Sequence, residues 1–249
     1  MNIVAIVQAR MSSSRLPNKV LLPLAGKPVL EHVVKRLSVS RTISMTVVAT
    51  SKDQSDDPIE LWCKNAKVPY FRGDLLDVLD RYYKAATEFS ADSIVRITAD
   101  CPAIDAAIVD EVVTNFLSGD YDGYALAGNF PNGLDCQIFS YLALEKAWKA
   151  AKLPSEREHV GVYFDNNPHL FKIGELHKFK DLYQHRWTLD EPKDYEFLKI
   201  VFDRLYSNKN IFDHRDILEL LRNEPELMTI NSAIIRNQGY LTSLKNDPH

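Results

Sequence analysis

Short apolar runs alternate with amphipathic stretches through the first half of the chain, which is the signature of an α/β fold. Ile3–Val7, Met45–Thr50, Val68–Arg72 and Ser93–Thr98 read as strands. Val29–Leu37, Ile59–Ala66 and Asp77–Phe89 read as helices, the last with Val78, Tyr82 and Ala85 or Ala86 on one face. Ile108–Leu117 predicts a further helix with Asp105 as its N-cap. The second half is less regular. Asp122–Leu126, Cys136–Phe139 and Leu170–Gly174 read as strands, and Leu142–Ala151, Glu156–Tyr163, Asp194–Tyr206 and Asp213–Leu221 as helices. No repeat, low-complexity run or long Pro/Gly/Ser linker cuts the chain, so a single domain over residues 1–249 is expected.

The first strand runs straight into Gln8-Ala9-Arg10-Met11-Ser12-Ser13-Ser14-Arg15-Leu16-Pro17-Asn18-Lys19. Open α/β folds bind ligands at the carboxyl ends of their strands. A loop at that place with three cations, three hydroxyls and a string of backbone N–H groups suits a polyanion, above all a triphosphate. Arg10 and Arg15 would grip phosphate oxygens with planar forks, and Lys19 would place a point charge on a leaving pyrophosphate. Gly26-Lys27-Pro28 reads as a turn feeding the next helix, whose N-terminal dipole would add to the anion site. The competing reading is a solvated basic loop with an exposed serine tract. Neither G-x-G-x-x-G nor G-x-x-x-x-G-K-S/T is present, which removes the dehydrogenase-type dinucleotide site and the P-loop.

Composition narrows the partner. The 249 residues carry a formal net charge of -4, so a general nucleic-acid binder is disfavoured and the local cations point to a small anion. Three cysteines, Cys63, Cys101 and Cys136, show no C-x-x-C spacing and fit a reducing compartment; Cys63 and Cys136 read as buried small hydrophobes, while Cys101 sits inside a candidate site with nothing beside it that suggests an activated thiolate. No run approaches the ~20 apolar residues of a membrane span, and Ile3–Val7 is too short for a signal h-region, so a cytoplasmic protein is expected.

Ala9-Arg10-x-x-Ser-x-Arg15-Leu16-Pro17-x-Lys19 with Gly26-Lys27-Pro28 resembles the signature of the cytidylyltransferases. That family includes the synthetases of CMP-activated 3-deoxy-octulosonate and of CMP-sialic acids, and the chain is most similar to its spore coat polysaccharide biosynthesis (SpsF-like) branch. The likeness recurs at Arg72-Gly73-Asp74, Asp77–Tyr83, Arg96–Pro102, Gly133-Leu134-Asp135, Arg157–Val160 and Thr188–Tyr195, across about the first 200 residues. It implies a Rossmann-like, mostly parallel sheet flanked by helices, with an irregular α+β lobe for substrate and dimerisation. Residues 1–120 would form the nucleotide-binding part and 121–249 the acceptor-binding and dimerisation part of a homodimer. It also implies a Mg²⁺-dependent nucleotidyltransferase acting on CTP and a sugar or acidic sugar, with release of pyrophosphate. The chain departs from the branch at Ser12 and Asn18, where Gly is usual, and at Gln137, where Glu is frequent. Asn tolerates a left-handed backbone, whereas Ser12 would be strained there.

Carried onto this chain, the resemblance assigns catalytic roles to Arg10, Arg15 and Lys19, and nucleotide contacts also to Gln8, Ala9, Ser13, Ser14, Arg72, Asp80 and Thr98. Asp100 and Asp190 form its metal pair, matching the preference of Mg²⁺ for one or two carboxylates completed by phosphate and water. Asp100 alone would also serve as a turn or helix cap, and Thr188-x-Asp190-x-Pro192 is equally good capping chemistry. Asp77, Asp80 and Arg81 would otherwise be ordinary helix-surface charges. On the acceptor side, Asn132, Asp135 and Gln137 offer amide and carboxylate groups to sugar hydroxyls. Arg157 would hold an acceptor carboxylate or phosphate, and His159 would orient a hydroxyl or act as base; a surface helix with a capping charge pair is the bland alternative. Asp120-Tyr121-Asp122 raises a different enzyme, a glycosyltransferase using a ready-made nucleotide sugar, against a solvated turn. A catalytically silent nucleotide-binding homologue is the remaining alternative.

Overall fold

The first strand, β1 (Ile3–Gln8), is buried on both sides: Ile3, Ala5 and Val7 enter one apolar core, Val4 and Ile6 the other. The structure is a computed structural model that describes residues 1–207 and 209–247. After β1 come a two-residue hairpin of β2 (Pro23–Leu24) and β3 (Lys27–Pro28), then α1 (Val29–Leu37), β4 (Met45–Ser51), α2 (Asp57–Ala66), β5 (Tyr70–Gly73), α3 (Val78–Glu88), β6 (Ser93–Thr98) and α4 (Ala106–Leu117). The second half adds β7 (Gly123–Leu126), β8 (Gln137–Ser140), α5 (Tyr141–Ala150), α6 (Pro154–Glu158), α7 (Val162–Asn166), β9 (Ile173–Leu176), α8 (Pro192–Leu205), α9 (His214–Asn223) and α10 (Gln238–Lys245).

One seven-stranded sheet in the order β5-β4-β1-β6-β8-β7-β9 runs through both halves of the chain. All its strands are parallel except β8, which is antiparallel to both β6 and β7. Residues from α1, α4, α8 and α9 join the core on one face, and residues from α3, α5 and α7 that on the other. After β1 the chain builds β4 and β5 outward on one side and then returns to place β6 on the other. That reversal opens a crevice at the carboxyl ends of β1 and β6, where doubly wound sheets take their ligands.

Two second-half elements differ from the sequence reading. The helix expected over Glu156–Tyr163 is broken into α6 and α7, because His159 adopts an extended backbone with φ −116° and ψ 94°. Glu156 Oε2 accepts from the Lys152 and Leu153 N–H groups at 3.0 and 3.1 Å, which fixes the start of α6 and spends the turn early. The strand expected at Leu170–Gly174 lies later, in β9, because Pro168–Leu170 closes a 3₁₀ turn first. The closing helix α10 has no strong apolar periodicity and was absent from the sequence reading.

Candidate active site

The loop after β1 is tied down by one buried carboxylate. Asp56 Oδ1 accepts from the Met11 N–H at 2.7 Å, while its Oδ2 accepts from the N–H and hydroxyl of Ser51 at the end of β4. The Met11 carbonyl in turn accepts from the Ser13 and Asn18 N–H groups at 2.9 and 3.1 Å, so the loop closes on itself. Asn18 takes the left-handed backbone its amide tolerates, with φ 60°. Ser12 does not have a positive φ, so the loop accommodates a side chain there without backbone strain.

This loop forms one wall of a cleft of about 660 Å³ at the carboxyl ends of β1 and β6. Of the residues expected from sequence, Gln8, Arg10, Ser13, Ser14, Arg15, Lys19, Thr98, Asp100, Asn132, Asp135, Gln137, His159 and Asp190 all line it. Ala9 lies beneath the surface, its N–H extending the ladder to the Ala49 carbonyl at 3.0 Å. The Gln8 Oε1 is buried and has no partner among the described residues, in a side chain that lines the cleft.

Lys19 is the electrostatic centre. Its Nζ donates to Asp100 Oδ2 at 2.6 Å and to Asp190 Oδ1 at 2.8 Å, although these residues are far apart in sequence. Burial alone would push the Lys19 ammonium down, but the two carboxylates outweigh it and hold its pKa above the ordinary value. Burial likewise opposes ionisation of Asp100, yet Lys19 and the Thr98 hydroxyl hold it down to about 2. Arg15 sits 2.9 Å from Glu191 and 3.6 Å from Asp190, and Arg10 lies 3.8 Å from Glu158. Asp100 and Asp190 thus turn hard oxygens toward one cation, the donor chemistry that suits Mg²⁺.

The break between α6 and α7 brings His159 into the cleft, where its Nε2 lies 3.0 Å from the Ser243 hydroxyl of α10. Burial, together with Arg96 and Arg10, pushes His159 below its usual pKa and favours the neutral ring. Asp135 is pushed up by burial, and its Oδ2 accepts from the Gly133 N–H at 2.8 Å. Burial also raises the Cys101 thiol well above its ordinary value, so it is a neutral wall group rather than a thiolate.

Three expected contacts lie elsewhere. Arg72 lies outside the cleft, in a separate groove beyond β4; its Nε donates to the Ser51 carbonyl at 2.7 Å and its Nη1 lies 2.7 Å from Asp57. Asp80 is committed to the Trp148 indole N–H at 2.9 Å and to Lys84 at 2.8 Å. Arg157 donates to Asp77 Oδ2 at 2.9 Å and to the Trp148 carbonyl at 2.8 Å, so it staples α6 to the start of α3. The N-terminus of α1 is also spent, since the Val29 N–H donates to the Leu22 carbonyl at 3.0 Å and residues 26–29 do not line the cleft. Asp122 holds the ends of β8 and β9 through the Ser140 and Lys172 N–H groups at 2.9 and 2.8 Å, which is a structural task.

The structure adds cleft residues that sequence reasoning passed over: Arg96, Glu158, Asp165 and the Asn237–Tyr240 stretch. Arg96 stood inside a recognised motif, two residues before Thr98 on the same face of β6, so strand alternation was the available signal. Asn237–Tyr240 offered none, because its place depends on how the end of the chain folds back.

A cytidylyltransferase family model matches residues 4–233. An uncharacterised protein of Methanocaldococcus jannaschii is 38% identical over 242 residues, covering 96% of this chain and 98% of that one. The spore coat polysaccharide biosynthesis protein SpsF of Bacillus subtilis is 30% identical over 241 residues, covering 93% and 99%. Among solved structures, a cytidylyltransferase from Leptospira borgpetersenii superposes with a TM-score of 0.88 at 34% identity, covering 95% of this chain and all of that one. With the loop, the lysine and the two aspartates gathered at one sheet edge, these matches establish that the chain belongs to the cytidylyltransferase family.

Proposed function

We propose that the protein transfers the cytidylyl group of CTP to an oxygen of a sugar or acidic sugar and releases pyrophosphate. The observation that carries this reading is the convergence of Lys19, Asp100 and Asp190 beside the Arg10–Arg15 loop. In the proposed reaction the acceptor oxygen attacks the α-phosphorus and pyrophosphate departs in line. Arg10, Arg15 and Lys19 neutralise the β- and γ-phosphates, with loop N–H groups and the Ser13 and Ser14 hydroxyls as further donors. Asp100 and Asp190 are the residues that would hold Mg²⁺, and such an ion supplies charge neutralisation at phosphate oxygens. His159, held neutral, and Asp135 stand on the acceptor wall, where either can receive a hydroxyl proton. No covalent enzyme intermediate is needed, because positioning and charge stabilisation suffice.

The test is pyrophosphate release from a panel of nucleoside triphosphates, with and without Mg²⁺, offered with neutral, phosphorylated and carboxylated sugars. CTP- and Mg²⁺-dependent release with one acceptor class supports the proposal. Tight CTP binding with no turnover on any acceptor would instead mark a silent homologue.

A further inference from the structure

Four Arg and Lys side chains line the cleft among the described residues: Arg10, Arg15, Lys19 and Arg96. The first three each have a carboxylate within 4.0 Å. Arg96 has none. Its one protein hydrogen bond runs from Nη1 to the neutral Gln137 amide oxygen at 3.2 Å, directly across the β6–β8 pairing. Its Nε is buried without a partner. Asp135 and Asp165 feel its charge, but neither forms an ion pair with it. Unpaired buried guanidinium nitrogens also occur at Arg36 and Arg81, but of these three arginines Arg96 alone lines the cleft, with a charge that no described carboxylate neutralises.

From this we infer that Arg96 is the acceptor's anion receptor: its Nη2, which is not buried and has no partner among the described residues, takes an oxyanion of the acceptor sugar, a carboxylate or a phosphate. The inference rests on the proposed transfer reaction and names the class of its acceptor. Gln137 is part of the device. A neutral amide holds Nη1 and fixes the guanidinium plane without neutralising the charge, whereas Glu at the same place would form an ion pair and occupy the cation. The anion would then sit beside Gln137 and Gly161, in the same cleft as the Arg10–Lys19 loop.

The experiment is calorimetric titration of full-length protein, saturated with a non-hydrolysable CTP analogue, with three probes: 3-deoxy-manno-octulosonate for the carboxylate, glucose 1-phosphate for the phosphate, and glucose as neutral control. Wild-type protein is expected to bind one anionic probe at least tenfold more tightly than glucose, and the probe that binds identifies the source of the oxyanion. Arg96→Gln and Gln137→Glu should each weaken that probe at least tenfold, with Arg96→Lys intermediate, while the CTP analogue binds all variants within about twofold of wild type. Equal binding of anionic and neutral probes by wild type, binding of neither anion, or an unchanged anion affinity in Arg96→Gln overturns the inference. Failure of the transfer reading would show separately, as loss of CTP-analogue binding or absence of pyrophosphate release from wild-type protein.

Discussion

Arg186 grips Asp194 through Nε at 2.8 Å and Nη2 at 2.9 Å, and the same Nη2 reaches Asp190 Oδ2 at 3.1 Å. Asp194 is fully buried; it also accepts from the Asp190 and Glu191 N–H groups, both at 3.0 Å, and from the Asn231 amide at 2.9 Å. Asp190 is therefore held from behind by a buried ion pair while its other oxygen faces Lys19. Replacing Arg186 by Met leaves Asp194 charged and buried with a weakened shell, a change that costs about 3–5 kcal/mol. Arg186→Lys keeps the charge and loses the fork, so it should retain more stability yet lower turnover through a misplaced Asp190. Denaturant unfolding and a Mg²⁺ titration of activity check this; a Lys variant with wild-type Mg²⁺ dependence would remove Arg186 from the positioning role.

Lys19 joins both carboxylates to the loop after β1, so its loss should be felt in chemistry more than in folding. Lys19→Ala is expected to lower kcat by about 10²–10³-fold, the scale for losing a charge-stabilising donor. Asp100→Ala should also abolish turnover, with far-UV circular dichroism unchanged for both. Near-wild-type pyrophosphate release by either variant would sink the site assignment.

The sheet and the position of the Arg10–Lys19 loop at its edge were legible in the sequence for the same reason. Each first-half strand is a short local run, and the Arg10–Lys19 loop follows β1 directly, so its place at a strand end needed no tertiary knowledge. Asp190 and Asp100 were paired only through family likeness, since 90 residues separate them and nothing local brings them together. Arg72, Asp80 and Arg157 misled because a charged residue in a recognised motif looks the same whether it faces ligand or a neighbouring helix; only the structure shows Asp57, Trp148 and Asp77 already holding them. Asp56 escaped notice because its task, anchoring the Met11 N–H, depends on a fold-back of 45 positions.

The Lys19–Asp100 pair should leave its mark on stability as a function of pH. Asp100 is depressed to about 2 from an ordinary 3.8, so its contribution is present above the ordinary value. As pH falls, the unfolded chain takes the proton first, and the contribution is lost by about pH 2. Lys19 is raised above 10.5, so its share is present below that value and disappears only as pH rises through the higher folded value. Unfolding free energy measured from pH 2 to 5 should fall less steeply in Asp100→Asn than in wild type. Parallel curves would show that the pair does not couple to folding.

Arg157 offers a contrast, because its partners are structural. Removing it frees Asp77 Oδ2 and the Trp148 carbonyl, both partly exposed, and hydrogen bonds to charged groups of this kind contribute about 1.5–3 kcal/mol. Arg157→Ala should therefore lower Tm while leaving the acceptor KM within about twofold of wild type. An acceptor KM raised tenfold with an unchanged Tm would return Arg157 to the binding site.

Gly133 supports, through its backbone, the part of the cleft lined by Asn132 and Asp135. Its φ is 108°, a region L side chains rarely adopt, and a Cβ there would stand 2.6 Å from the Trp187 carbonyl carbon. The close approach lets the Trp187 N–H donate to the Asn132 carbonyl at 2.6 Å and the Asn132 N–H to the His185 carbonyl at 3.0 Å, which seats the loop carrying Asn132 and Asp135 against the Arg186–Asp190 stretch. Gly133→Ala must strain the backbone or push the two segments apart. Strain of this kind costs about 1–3 kcal/mol before any clash is counted. The expected result is a lower unfolding midpoint together with weaker acceptor binding. Unfolding curves and separate titrations of CTP and acceptor decide it. An alanine variant as stable as wild type would mean that the contact with Trp187 relaxes freely, and that part of the cleft would then owe its position to Asp135 and the β8 pairing instead.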